Sequence, residues 1–291
     1  MRDVATALRE AGLDPDAVAA LADAALAEDL AGGEDVTSVA TVPDDASATA
    51  HVVPRSAGVV AGLDVAAMVF LRAASKPLSV ECHVVDGETV EPGRPLLTVS
   101  GSARDLLVAE RSALNLLGHL CGVATVTRAW VDAVAGTGAR VRDTRKTTPL
   151  LRSLEKYAVR CGGGVNHRMS LSDAALVKDN HAHAAGGLVE AYRRVAAKRP
   201  GIEVQVEADT VADAVAVVDA GARSVLLDNF STDELEEAVR MLGSRATLEA
   251  SGGLTLDSAA AVAATGVHYL AVGALTHSAP VLDIGLDFAE A

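Results

Sequence analysis

From Ala139 to Val272 short apolar runs alternate with helix-length segments, and that alternation constrains the fold of this chain more than any other feature. Candidate strands are Ala139 to Asp143, Ala175 to Val177, Ile202 to Val206, Ser224 to Leu227, Ala246 to Leu248 and Tyr269 to Val272. Candidate helices lie at 149–160, 187–198, 210–220, 231–242 and 255–264. Strands separated by helices argue for a parallel sheet, because parallel neighbours need a long crossover. The last three units repeat about every 22 residues, which suits tight packing of a parallel α/β barrel.

Polar residues fall at the ends of these strands: Thr144-Arg145-Lys146, Lys178-Asp179-Asn180, Glu207, Asp228-Asn229, Glu249 with Ser251-Gly252-Gly253, and Gly273. The carboxyl ends of parallel barrel strands make one rim, so the six ends converge on one site. Charge sharpens this. The chain carries a formal charge of -14, yet between Arg140 and Asn180 nine Lys or Arg stand against four acids. A basic island in an acidic chain points to a pocket for a small, highly charged anion, and away from nucleic acid, which needs a broad basic face. Arg145, His167, Arg168 and Lys178 can hold carboxylates through forked and point-charge hydrogen bonds. Ser251-Gly252-Gly253 and Gly273-Ala274 follow the last two strands, where backbone N–H groups and a helix N-terminus commonly hold phosphate. The three glycines 162–164 ahead of His167 permit a close backbone approach or a turn that other residues resist.

Before this region, residues 2–11 predict a short helix, and Asp14-Pro15 predicts an N-cap with Pro at the first position of a second helix running to about Leu30, ended by Gly32-Gly33. Glu34 to Ser38 reads as a solvated loop. From Ser47 to Gly101 the pattern shortens to strands at 48–53, 57–62 and within 78–101, with a helical piece at about 64–75. The spacing VxxGxxVxPGxxLLxxxG there is similar to the β framework of lipoyl and biotinyl carrier domains, but no lysine lies between Ser79 and Gly101 to carry a cofactor. Asp105 to about Ala135 has helical period, with Gly122 a possible break and Arg111 and Asn115 four apart on one face.

Cys82, Cys121 and Cys161 are scattered without a CxxC pair, so neither a zinc site nor a disulfide framework is indicated, and a reducing cytoplasm fits. The packed surroundings of Cys121 and Cys161 predict inert thiols. The charged start lacks the apolar core of a signal peptide, and no run is long enough to span a membrane. His181 and His183 lie on an expected loop, where solvated histidines are the simpler reading than a metal pair.

The runs DTRKTTP, KYAVRCGGGVNHR and KDNH, framed by AEDL near the start and GALTHSAP near the end, closely resemble the quinolinate phosphoribosyltransferase family over nearly the whole chain. The resemblance implies an open, incomplete TIM-like α/β barrel behind an N-terminal α/β sandwich domain. Expected boundaries are 1–117 for the sandwich, 118–278 for the barrel, and a segment at 279–291 able to return to the first domain. It further implies phosphoribosyl transfer from phosphoribosyl pyrophosphate (PRPP) to quinolinate with loss of CO2, within NAD biosynthesis. Carried onto this sequence, Arg145, His167, Arg168 and Lys178 would bind quinolinate, joined by Arg111 of the partner subunit in a homodimer or a higher oligomer. Lys146, Glu207, Asp228, Ser251, Gly252, Gly253, Gly273 and Ala274 would bind PRPP. Lys146, Lys178, Glu207 and Asp228 would serve the chemistry, with Glu207 and Asp228 also holding Mg2+ partly through the substrate. The family's paired acids on the third barrel strand appear here as Glu203-Val204-Gln205-Val206-Glu207, which puts the position at Gln205 in doubt. A type II paralogue acting on nicotinate or another base, without decarboxylation, is the competing enzyme, and a carrier or binding module built on 47–101 is the non-enzyme competitor.

Overall fold

The computed structural model describes residues 3–289. These divide into two compact units, one of the described residues up to Val126 with Ser153–Gly163 and those from Ala279 onward, the other of Thr127–Arg152 and Gly164–Ser278. The first division falls between Val126 and Thr127 and not at 117/118, because helix α5 (Ala103–Ala133) runs through it unbroken and no loop marks the place. Residues 153–163, expected within the barrel, pack with the first unit.

In the first unit, α1 (Val4–Glu10) starts at Asp3, whose side chain accepts the Thr6 N–H at 3.1 Å. Residue 2, expected in this helix, lies outside the described residues. Helix α2 (Pro15–Leu30) is capped by Asp14 and closes through Ala31 in a left-handed conformation. It buries Val18, Ala22 and Leu26 at a spacing of four, one stripe of a helix. The expected loop at 34–38 is instead the start of α3 (Val36–Thr41): Asp35 accepts the N–H groups of Thr37 and Ser38, each at 3.1 Å, so the acidic residue nucleates a turn.

Strands β1 (Ser47–Pro54), β3 (Ser79–Cys82), β5 (Leu97–Ser102) and β12 (Ile284–Phe288) form an antiparallel sheet ordered β12-β1-β5-β3, while β2 (Gly58–Val59) and β4 (Thr89–Val90) make a separate two-stranded ribbon. Helix α4 (Leu63–Ala73) buries Leu63, Val65, Ala66, Val69 and Phe70 and packs with α1 and α2. Each large side chain so buried contributes about 1.5–3 kcal/mol of transfer free energy. Asp86 caps this helix, accepting from Gly62 N at 2.8 Å and Leu63 N at 3.2 Å, and takes the Tyr157 hydroxyl at 2.6 Å. Burial raises its carboxyl pKa above the ordinary range. Gly122 does not break α5; a Cβ there would stand 2.1 Å from the Pro280 carbonyl, so glycine admits a crossing chain.

In the second unit, β6 (Arg140–Arg142), β7 (Ala175–Val177), β8 (Val204–Ala208), β9 (Ser224–Asp228), β10 (Thr247–Ser251) and β11 (Tyr269–Ala271) form a parallel sheet ordered β6-β11-β10-β9-β8-β7. The crossovers carry α7 (Asp179–Ala185), α8 (Leu188–Lys198), α9 (Val211–Asp219), α10 (Thr232–Leu242) and α11 (Leu256–Ala264), with α12 (Ala274–His277) after β11; the preceding α6 (Arg152–Cys161) enters the first unit after Arg152. Strands β6 and β7 are opposite edges that do not pair, so the barrel is open. Strands β8, β9 and β10 run past their expected ends to Ala208, Asp228 and Ser251. Their polar side chains interrupted the apolar pattern, but the ladder is made by backbone groups and continues beneath them.

No helix among the described residues is long and apolar enough to cross a membrane.

Candidate active site

A cavity of about 630 Å³ opens at the carboxyl ends of the barrel strands, and its walls come wholly from the second unit. Strand order arranges its chemistry. Gly273 follows β11 and Ser251-Gly252-Gly253 end β10, next to each other; Asp228 ends β9 and Glu207 lies on β8, also neighbours; Lys178 follows β7 at one edge, and Arg145 and Lys146 follow β6 at the other. The cavity thus has a glycine-lined sector, an acidic sector and cations on both flanks.

At the cationic end, burial and the charge of Arg145 hold the Arg168 guanidinium below its ordinary pKa. Two guanidinium groups this close leave a site short of negative charge. Arg168 Nη1 donates to the Ala174 carbonyl at 2.7 Å, which fixes its head, and Arg145 Nε is buried without a hydrogen-bond partner. Lys178 Nζ pairs with Glu207 Oε2 at 2.6 Å. The segment before Arg168 is pinned by the fully buried Asp143, which accepts His167 N at 2.8 Å and Asn166 Nδ2 at 2.6 Å.

At the glycine end, Gly252 has φ +86°, and a Cβ there would stand 2.2 Å from Asn229 Oδ1. Asn229 is itself left-handed at φ +58°, and its N–H donates to Ser251 O at 2.8 Å, locking the two strand ends together. A Cβ at Gly273 would meet Lys146 Cδ at 3.1 Å, so the lysine stem lies across that glycine. The Lys146 carbonyl accepts the Thr276 hydroxyl at 2.8 Å.

The cavity therefore unites Arg145, Lys146, His167, Arg168, Lys178, Glu207, Asp228, Ser251, Gly252, Gly253, Gly273 and Ala274. It does not include Gly162–Gly164: Gly162 and Gly163 donate back to Ala158 and Arg160 and end α6, which makes them a helix stop. Nor does it include Arg111, which is exposed on α5 in the first unit beside the exposed Asn115. His181 and His183 sit on α7, not on a loop, and His181 Nδ1 accepts the Lys178 N–H at 3.0 Å, a helix-capping role. Among the described residues no group of three or more His, Cys, Asp or Glu is arranged to hold a metal ion.

Among the polar lining residues, Thr144, Glu249 and His277 are not assigned as ligand groups from the sequence. Glu249 was visible as a strand-end acid, but its complete burial was not. His277 lies four residues after Gly273 on a single helical turn too short to leave a periodic signal.

Comparison with known proteins follows the same lines. Two family models match the chain, the N-terminal domain of quinolinate phosphoribosyl transferase over residues 35–121 and its C-terminal domain over residues 123–287. A nicotinate-nucleotide pyrophosphorylase (carboxylating) of Mycobacterium leprae is 52% identical over 267 residues, covering 90% of this chain and 94% of the relative. A quinolinate phosphoribosyltransferase (decarboxylating) of Nicotiana tabacum is 38% identical, covering 90% and 79%. The crystal structure of NadC from Streptococcus pyogenes superposes with a TM-score of 0.90 at 37% identity, covering 96% of this chain and 99% of that one. The nicotinate-nucleotide pyrophosphorylase from Francisella tularensis gives 0.89 at 34%, covering 95% and 98%.

Proposed function

Because this chain belongs to the quinolinate phosphoribosyltransferase family, we propose that the cavity is where it joins quinolinate to PRPP. The enzyme transfers the phosphoribosyl group with decarboxylation, yielding nicotinate mononucleotide, pyrophosphate and CO2 in the de novo route to NAD. The observation that carries the residue assignment is the ordered rim: a glycine sector for a phosphate, an acidic sector for a ribose and its leaving group, and cations on both flanks.

On this reading the quinolinate carboxylates meet Arg145, Arg168 and Lys178, and the sugar 5'-phosphate rests on the backbone of Gly252, Gly253, Gly273 and Ala274. The ring nitrogen attacks the anomeric carbon as the bond to pyrophosphate breaks, so no side chain acts as nucleophile. The protein orients the two anions and stabilises an oxocarbenium-like state. Lys146 balances charge on the departing pyrophosphate. Glu207 and Asp228 hold ribose hydroxyls, and as two carboxylates on adjacent strands they also fit Mg2+, which takes few protein ligands and several substrate oxygens. When bound, the ion would neutralise charge on the pyrophosphate. The quaternised nitrogen then stabilises the electron pair left on the neighbouring carbon as CO2 departs, and a proton from Lys178 or water closes the step.

We further infer a homodimer in which Arg111 of the partner subunit completes the cationic wall. The exposed Arg111 and Asn115, one turn apart on α5, support it. The cytoplasm is the inferred compartment, supported by three cysteines that form no disulfide among the described residues.

The test is an endpoint assay with Mg2+, PRPP and either quinolinate or nicotinate. Mononucleotide from quinolinate alone supports the dicarboxylate pocket, and mononucleotide from nicotinate alone overturns it.

A further inference from the structure

Beneath the cationic end lies a side chain that the substrate's charge does not explain. Gln205 is 3% exposed on β8, and its amide bridges two groups: Gln205 Oε1 lies 2.7 Å from His167 Nε2, and Gln205 Nε2 donates to Glu249 Oε2 at 3.2 Å. The directions of these bonds close on one another. His167 Nδ1 accepts the Arg168 backbone N–H at 2.8 Å, so that nitrogen carries a lone pair and the ring proton sits on Nε2. The Nε2–H donates to Gln205 Oε1, which turns the amide NH2 toward the carboxylate. The opposite orientation would set NH2 against N–H and a carbonyl oxygen against a carboxylate.

Glu249 is fully buried and takes a second bond from Arg142 Nη1 at 2.7 Å, which anchors it. A carboxylate at position 205 would face it across a buried gap. Glutamine instead passes a hydrogen bond from ring to carboxylate while adding no charge.

We propose that Gln205 is a positioning residue: its Oε1 takes the His167 Nε2–H and holds the ring where Nδ1 meets the Arg168 N–H, which keeps the single Nε2–H tautomer and steadies the backbone from which Arg168 reaches a ring carboxylate. The proposal rests on reading the Arg145–Arg168 end as the quinolinate site. His167 then serves as framework, and the positive charge of the wall comes from the arginines and lysines.

The experiment joins a spectroscopic and a kinetic readout on the full-length protein. Nitrogen-15 histidine spectra at neutral pH, assigned with His167→Gln, report the tautomer without substrate. Steady-state kinetics report KM for each substrate. In the wild-type protein His167 shows a protonated Nε2 and a bare Nδ1. In Gln205→Met, and in the milder Gln205→Asn, which withdraws the amide by one methylene, this single tautomer is lost. KM for quinolinate then rises about tenfold, while KM for PRPP moves less than about twofold. A His167 signal unchanged in both variants overturns the proposal. So does a lowered melting temperature with both KM values intact, the mark of packing alone. Failure of the wild-type protein to bind quinolinate would overturn the site reading instead, and the substrate-free spectrum separates that failure from this one.

Discussion

Lys178 Nζ stands 2.6 Å from Glu207 Oε2, an ion pair between neighbouring barrel strands in which a cation and an acid of the site neutralise each other. If Lys178 binds quinolinate as proposed, substrate oxygens compete with Glu207 for it. On the proposed reading Lys178→Ala removes a charge facing the dicarboxylate, and it leaves Glu207 without its ion-pair partner. A loss of about 100-fold or more in kcat/KM for quinolinate is expected, with steady-state kinetics as the check.

Arg168→Lys keeps the charge and loses the fork. The guanidinium is braced by its bond to the Ala174 carbonyl, and a lysine cannot keep that brace and meet a carboxylate with two parallel bonds. KM for quinolinate should rise about tenfold while KM for PRPP stays near its wild-type value.

The glycine end, proposed to hold the sugar phosphate, has its own reporter. Gly252→Ala places a Cβ against Asn229 Oδ1 at a φ of +86°, which costs about 1–3 kcal/mol in backbone strain alone. The damage should fall on KM for PRPP and leave quinolinate binding, measured by calorimetry, largely as it was.

Burial pushes the thiols of Cys121 and Cys161 up to about 12. The folded state holds these protons where an unfolded chain releases them, so the stability they lend is complete below about pH 9 and is lost as pH rises toward 12. At pH 8 both thiols stay protonated, and mass spectrometry after iodoacetamide treatment of the native protein should find both cysteines unmodified.

Shared sites predict complementation. If Arg111 completes the partner's site in a homodimer as proposed, Arg111→Ala and Lys178→Ala should each be nearly inactive, yet after subunit exchange half of the dimers would be mixed, each with one of its two sites intact. About a quarter of wild-type activity should return, because a twofold dimer pairs each patch with its partner. No recovery would place Arg111 outside the site.

The sequence showed the barrel because each strand–helix unit punctuates itself, as in Ser231 with Glu234, a capping box that opens α10. It showed the rim because strand ends in a parallel barrel share one side, which gathers Lys146, Lys178, Glu207 and Asp228. What it concealed was tertiary. Residues 153–163 carry an amphipathic helix that reads the same whichever unit it packs on, and α5 crosses between units without a break. The glycines at 162–164 have identical local chemistry as a helix stop and as a ligand loop. Gln205 looked like a departure from a pair of acids, and its meaning depends on Glu249, 44 residues away in sequence.

The central claim is decarboxylating transfer to quinolinate, and isotope stoichiometry tests it most directly. Quinolinate labelled with carbon-13 in the carboxylate next to the ring nitrogen is incubated with PRPP, Mg2+ and the purified protein. One labelled CO2 should appear for each mononucleotide formed, with unlabelled nicotinate mononucleotide as product. Mononucleotide that keeps the label, or that forms from nicotinate without CO2, would contradict it.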